Sequence, residues 1–95
     1  MIKIVAEWFV KPESREKFLE LCEEIVEGTR AEEGNISYEL HENIADPNHL
    51  TFIEEWKDQE AINIHDNSDD FIRIVPQLKE MSAHDPRIIL YTVNM

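Results

Sequence analysis

The stretch Thr51–His65, TFIEEWKDQEAINIH, changes its periodicity part-way along, and this change decides the fold. Its β-branched and aromatic residues predict a strand over residues 50–57. Asp58 is a favourable N-cap for a short helix that carries His65. The stretch therefore predicts a strand that passes directly into a helix.

Three other segments show the alternation of a strand. Residues 2–10 place Ile2, Ile4, Ala6 and Trp8 on one face, and residues 35–43 and 87–93 are similarly rich in β-forming residues. The segment Asp46-Pro47-Asn48 predicts the turn between the second and third strands. We therefore expect four strands.

Two further helices are predicted from apolar spacing. One begins near Pro12 and is expected to stop at Gly34. The other follows a break at 67–69 and carries Phe71, with Pro76 expected to kink or split it. The resulting order, β-α-β-β-α-β, predicts an α+β ferredoxin-like fold, with one antiparallel sheet and helices on one face.

Length and charge narrow the class of protein. The 95 residues predict a single domain over 1–95, and 42% hydrophobic residues suffice for a core. A formal net charge of -12 argues against nucleic acid and an anionic membrane as partners. The N-terminus reads as a strand, not as a signal peptide, so we expect a cytoplasmic protein.

Cys22 and the acidic runs have ordinary interpretations. Cys22, the only cysteine, lies among apolar residues of the first helix and is expected to be a small buried hydrophobe. Acidic pairs such as Glu23-Glu24 and Glu32-Glu33 are expected to be solvated faces of helices.

Four aromatic residues in the predicted strands suggest that the sheet binds a second protein chain. Trp8, Tyr38, Trp56 and Tyr91 all lie in strands, so both sheet faces are expected to carry apolar area. Helices cover one face only, and a second copy of the sheet is the simplest cover for the other. We therefore expect a homodimer.

The candidate site lies at the junction that the opening stretch defines. Alternation puts Glu54 on the same face as Phe52 and Trp56. The helix returning over the sheet brings His65 toward that face, and Tyr38 on the neighbouring strand can join them. A histidine can accept a proton near neutrality, and aromatic walls suit a flat aromatic substrate.

Each of these residues also has a structural interpretation. Glu54 could pair with Arg87 or another basic group at the sheet edge. Trp56 and Tyr38 could belong to the core, and His65 could be a helix cap or a buried, satisfied group. Spacing alone leaves both interpretations open.

No metal or nucleotide site is predicted. His41, Glu42 and His49 lie close in sequence, but no HxH or HxxxH pattern supports a metal site. The chain contains no glycine-rich phosphate loop and no GxSxG motif.

Four segments together resemble the antibiotic biosynthesis monooxygenase superfamily of dimeric α/β barrels, which includes small quinol monooxygenases. They are IVAEWFVKPESREKF at the first strand, EEGNISYEL at Glu32–Leu40, FIEEWKDQEAINIH at Phe52–His65, and RIILYTV in the last strand. The resemblance implies a ferredoxin-like protomer, a homodimer whose sheets form a barrel, and a pocket between sheet and helices.

The resemblance also implies an activity. Relatives oxygenate phenols, anthrones or quinols with O2 and without metal or flavin. His65 would be the base and Glu54 would orient or polarise the substrate. The pocket would be shaped by Trp56, Tyr38, Phe71 and Phe52, with no cofactor.

One departure from the family pattern bears on this expectation. Many relatives carry a second histidine five residues after the first, where this chain has Asp70. The set that resembles the haem-degrading branch falls on Trp8, His65 and Val75, which does not favour haem degradation. Two alternatives remain: an isomerase of a small signalling or carbonyl compound, and a non-catalytic dimeric binding or stress-response module.

Overall fold

A computed structural model describes all residues, Met1–Met95, as four strands, three α-helices and one short 3₁₀ turn. The elements are β1 (Ile2–Phe9), the 3₁₀ turn (Pro12–Ser14), α1 (Arg15–Arg30), β2 (Asn35–Asn43), β3 (Asp46–Trp56), α2 (Gln59–Asp66), α3 (Asp69–Glu80) and β4 (Arg87–Thr92). The predicted order of elements is confirmed, with α2 and α3 separated where Ser68 caps the second of them.

The four strands form one antiparallel sheet in the order β2-β3-β1-β4. In its register, Ala6 of β1 lies between Phe52 of β3 and Ile88 of β4. The predicted ferredoxin-like α+β fold is therefore confirmed. The sheet of the chain is open, with β2 and β4 as its edges.

The core lies between the sheet and the helices, on one face only. Alternate residues of β1 and β3 are buried there, and α1 and α3 contribute Phe18, Ile74 and Leu78, which have no exposed surface. Cys22 belongs to this core, and burial raises its pKa to about 12, so it packs as the small hydrophobe that was predicted. None of the three α-helices combines the length and the hydrophobicity that a membrane-spanning segment requires.

Three of the four aromatic strand residues that were expected to spread over both sheet faces lie on the same face. Trp8, Tyr38 and Trp56 are all buried beneath the helices, because alternation and register bring them to the same face. Only Tyr91, which is paired with Lys3, lies on the helix-free face. The prediction of a partner therefore has to rest on other residues.

Two predicted boundaries were wrong. The turn between β2 and β3 falls at Ile44 and Ala45, where the Asn43 side chain accepts the Ala45 N–H at 2.8 Å, and β3 already begins at Asp46. The first helix ends at Arg30, several residues before Gly34. At the β2–β3 turn, the hydrogen bond to the Asn43 side chain outweighs the turn preference of Asp46-Pro47-Asn48. At the end of α1, tertiary packing outweighs the preference for a helix stop at Gly34.

Pro76 does not split its helix. α3 runs uninterrupted from Asp69 to Glu80 with Pro76 inside it. The proline is exposed, whereas Ile74 and Leu78 on either side of it are fully buried. Burial of that apolar face outweighs the loss of one backbone hydrogen bond at the surface.

Candidate active site

His65 is buried at the end of α2, which returns over the sheet from β3. Only Lys57 and Asp58 separate β3 from α2, and Asp58 caps the helix by accepting the Ala61 N–H at 2.9 Å. The imidazole is only 3% exposed, and its ring centre lies 4.6 Å from that of Trp56 and 5.1 Å from that of Phe71. This aromatic packing holds the ring in place.

The carboxylate that contacts His65 is Glu32. Its Oε2 lies 3.0 Å from Nδ1 of His65, and its side chain is 20% exposed. A carboxylate at Nδ1 favours the tautomer with the proton on Nδ1 and leaves Nε2 as an acceptor. The expectation that Glu32 is merely solvated was therefore wrong, whereas Glu33 beside it is exposed.

Sequence reasoning missed Glu32 because the contact is non-local. Glu32 and His65 are 33 residues apart, and Glu32 lies in the loop that joins α1 to β2. No periodicity applies to a loop residue. Its place in the family-like segment Glu32–Leu40 was the one available signal.

Glu54 is a buried carboxyl group with an unusual proton affinity. It is 5% exposed, and its Oε1 accepts the indole N–H of Trp56 at 2.9 Å. Its pKa is raised to about 7, mainly by burial. The hydrogen bond from Trp56 opposes this rise, and the nearby carboxylates of Asp66 and Glu32 add to it. Arg87 pairs instead with Glu7 at 3.8 Å, so the alternative of a Glu54–Arg87 ion pair was wrong.

These groups meet at a cavity of ≈ 230 Å³ between the sheet and the helices. Its wall has 16 residues, 12 of them hydrophobic, and includes five of the six predicted site residues: Tyr38, Phe52, Glu54, His65 and Phe71. Trp56 is not in the wall. It is fully buried, and its indole N–H donates a hydrogen bond to the Glu54 carboxyl group.

Asp70 does not replace the second histidine as a cavity group. Its carboxylate is 3.2 Å from Arg73, which also pairs with Glu24, and it lies against Gly28 of α1. Tyr38 lines the cavity, and burial foremost raises the pKa of its phenol well above the usual value. The polar side chains in the cavity wall thus include those of Tyr38, Glu54, Gln59, His65 and Asp66, but not that of Asp70.

No group of three or more His, Cys, Asp and Glu side chains is arranged to hold a metal ion. His49 instead bonds Glu7 at 3.2 Å and stacks on Phe9, with ring centres 4.4 Å apart. Glu42 pairs with Arg15.

Comparison with known proteins identifies the family of the chain. The sequence profile described as antibiotic biosynthesis monooxygenase matches residues 1–77. The chain is therefore a member of the antibiotic biosynthesis monooxygenase family, which confirms the resemblance found in its sequence.

Comparisons with individual proteins also support membership of this family. A protein of Bacillus subtilis (strain 168) named "Putative monooxygenase YcnE" is 40% identical over 81 residues, which cover 85% of each chain. A crystal structure of an antibiotic biosynthesis monooxygenase superposes with a TM-score of 0.96 at 37% identity over 100% of both chains. A conserved protein from Methanosarcina mazei Go1 reaches 0.93 at 39% identity, covering 95% of this chain and 89% of that one.

Proposed function

We propose that this protein is a cofactor-independent monooxygenase that oxidises a small phenolic or quinol-like substrate with O2. One observation carries the proposal. A histidine held by a carboxylate and a second, proton-bearing carboxyl group both reach one apolar cavity walled by aromatic rings. The cavity lies below the ~300–1,000 Å³ of most drug-sized sites, which suits a molecule of one or two rings.

His65 is the base in this proposal. Glu32 holds Nδ1, so Nε2 is the nitrogen that can accept a phenolic proton from a molecule in the cavity. The imidazolium that forms is stabilised by the Glu32 carboxylate beside it. The same pairing that orients the ring thus also compensates the charge that develops on it.

Glu54 supplies a hydrogen-bond donor. With a pKa of about 7, it is substantially protonated at neutral pH and can donate its O–H to a substrate oxygen. The Trp56 indole keeps Oε1 in place, which fixes the direction of the carboxyl group. A neutral acid also avoids repelling the substrate anion that His65 generates.

The oxygen chemistry then belongs to the substrate. The anion gives one electron to O2, and the resulting radical and superoxide combine at a ring carbon to form a peroxide. A proton from imidazolium gives the hydroperoxide. Loss of the carbon-bound proton together with hydroxide leaves a carbonyl and one water, so one oxygen atom enters the product and His65 is regenerated as the base.

Replacement of His65 tests the proposal. In oxygen-uptake assays with benzo- and naphthohydroquinones, we expect His65→Ala to lower kcat/KM by about 10²- to 10⁴-fold, the range of a lost general base. His41→Ala is the control, since His41 is half-exposed and outside the cavity wall. Equal turnover in the two variants would remove His65 from the mechanism.

An isomerase is the second candidate, and one observation favours it. Two proton-transfer groups, Glu54 and His65, line the same apolar cavity, which also suits moving a proton between carbons of a carbonyl compound. The two functions differ in their need for oxygen. Isomerisation proceeds under anaerobic conditions, whereas the proposed monooxygenase consumes one O2 per product.

A further inference from the structure

The cavity has an unusual charge composition. Its ionisable wall residues are Tyr38, Glu54, His65 and Asp66, and none of the nine lysines and arginines of the chain lines it. Asp66 is an exposed residue that ends α2 beside His65. Every fixed charge that the wall can carry, apart from His65, is therefore negative.

The neighbouring arginines are engaged elsewhere. Arg30 donates its Nε–H to the backbone oxygen of Tyr38 at 3.0 Å, outside the cavity wall. Arg73 pairs with carboxylates between α1 and α3, and Arg87 pairs with Glu7. None of them is left to bind a carboxylate, phosphate or sulfonate group in the cavity.

His65 does not supply a net positive charge. Its Nδ1 lies 3.0 Å from the Glu32 carboxylate, so protonation of the ring gives a neutral ion pair and not a free cation. An anionic ligand would lose its hydration shell in a mainly apolar cavity without gaining a free cationic partner.

From this composition we infer that the cavity selects uncharged aromatic compounds and rejects aromatic acids, with Asp66 as the discriminating residue at its rim. The inference rests on the proposed function in taking the cavity as the substrate site. Within that function it names the substrate class as neutral phenols or quinols without an acidic substituent. A free hydroxyl group can use both His65 and Glu54. A ring carboxylate is repelled by Asp66 and finds no lysine or arginine in the wall, where only neutral donors such as Tyr38 and Gln59 can contact it.

The expected difference in affinity between a neutral ligand and an anionic one comes mainly from like-charge repulsion. Two unit charges a few ångströms apart near a protein surface interact strongly enough to change binding by about tenfold or more. Desolvation of the anion adds to this difference. We therefore expect a neutral ligand to bind at least about tenfold more tightly than its matched anion.

A binding experiment without turnover tests the inference. The probes are 2-naphthol and 2-naphthoate, which share a ring system and differ in having a hydroxyl group or a carboxylate. Their dissociation constants are measured by calorimetry at neutral pH and fixed salt, with the purified full chain. The expected result is that 2-naphthol binds at least about tenfold more tightly.

Matched variants locate the effect. Asp66→Asn removes the rim charge without changing its size, and the ratio of the two dissociation constants should fall several-fold. Glu60→Gln removes one charge from an exposed position on the same helix outside the cavity, and should leave the ratio unchanged. An equal change in both variants would mean that only total charge matters, and would overturn the role of Asp66.

The remaining outcomes are also decisive. Binding of 2-naphthoate as tight as that of 2-naphthol would overturn the inference, as would no binding of either probe. Oxygen uptake is a separate readout. Charge discrimination without oxygen uptake would leave the selective cavity in place and remove the monooxygenase function, so the two failures can be told apart.

Discussion

At the residue scale, the pair formed by Glu32 and His65 is the feature on which the proposed chemistry depends. Nδ1 of a buried imidazole contacts a carboxylate that is itself four-fifths covered. Such a pair selects one tautomer and one ring orientation, and it stabilises the charged ring. Each of these effects can be removed without altering the shape of the site.

Glu32→Gln should impair catalysis while the protein stays folded. The amide can still contact Nδ1, but the charge that stabilises the imidazolium is lost. A hydrogen bond to a charged group contributes about 1.5–3 kcal/mol, which corresponds to about 10- to 100-fold in rate. Steady-state kcat measures the loss, and circular dichroism checks the fold.

Glu33→Gln is the matched control for this change. It removes the same charge from the next residue, whose side chain is exposed. If the two glutamine variants lost equal activity, Glu32 would have no positioning role.

Glu54 gives the stability of the protein a pH dependence of defined sign. Its pKa is about 7 in the folded protein against an ordinary value of 4.5, so the folded state binds the proton more tightly. The stabilisation is fully present below the unfolded-state pKa and is lost as the pH rises through about 7. The whole effect is about 3 kcal/mol.

Glu54→Gln should remove this dependence. The amide keeps an acceptor for the Trp56 N–H and carries no proton equilibrium. Urea unfolding between pH 5 and pH 8, at fixed protein concentration, should show a decline in the parent that the variant lacks. Glu55→Gln, on the opposite face of β3, should retain the parent's decline. Parallel curves for Glu54→Gln and the parent would refute the assignment.

At the element scale, α2 positions His65, and its packing depends on a glycine. A Cβ built on Gly34 would lie 2.3 Å from Cβ of Ala61 on α2. Gly34 has no positive φ, so close approach of the helix, and not backbone conformation, requires glycine here. The predicted helix stop thus proved to be a contact between two elements.

Gly34→Ala should displace α2 and reduce both stability and activity. Overpacking of this kind costs about 1–3 kcal/mol, and the shift carries His65 with it. Gly28→Ala is the comparison. There the added Cβ meets the end of the Asp70 side chain, which can move, and alanine favours helix α1 by about 1 kcal/mol. Urea unfolding should show a higher free energy of unfolding for Gly28→Ala than for Gly34→Ala. The reverse order would contradict the proposed close packing at Gly34.

At the scale of the whole molecule, the helix-free face of the sheet presents a row of apolar residues. Val5 of β1 lies between Ile53 of β3 and Ile89 of β4, and charged side chains such as Lys3 and Glu7 flank the row. No element of the chain covers this face. We propose that a second copy does so, giving the homodimer that the sequence predicted from different residues.

Sedimentation velocity tests the dimer. We expect a dimer at micromolar concentration and a monomer for Val5→Lys, which places a charge in the centre of the row. Asn63→Lys adds the same charge at an exposed position on α2 and should remain dimeric. A stable monomer for the unaltered protein would contradict the proposal.

Much of the fold followed from local periodicity. Alternation put Phe52, Glu54 and Trp56 on one face of β3, and all three are buried there. Helical spacing identified α1, α2 and α3, because burying one stripe of a helix imposes its period on the sequence. Boundaries were less predictable, since the Asn43 side chain and the packing of Gly34 override residue preferences.

The sequence by itself determined the order of elements, the faces of the strands, the family, and five of the 16 residues in the cavity wall. Only the tertiary structure decided that Glu32 contacts His65, that the Trp56 indole bonds Glu54, and that no lysine or arginine lines the cavity. The physical reason is that periodicity is a local property of the sequence, whereas contacts in the site join distant segments. Periodicity records which way a side chain points, whereas hydrogen bonds and charge environments depend on which distant segments meet.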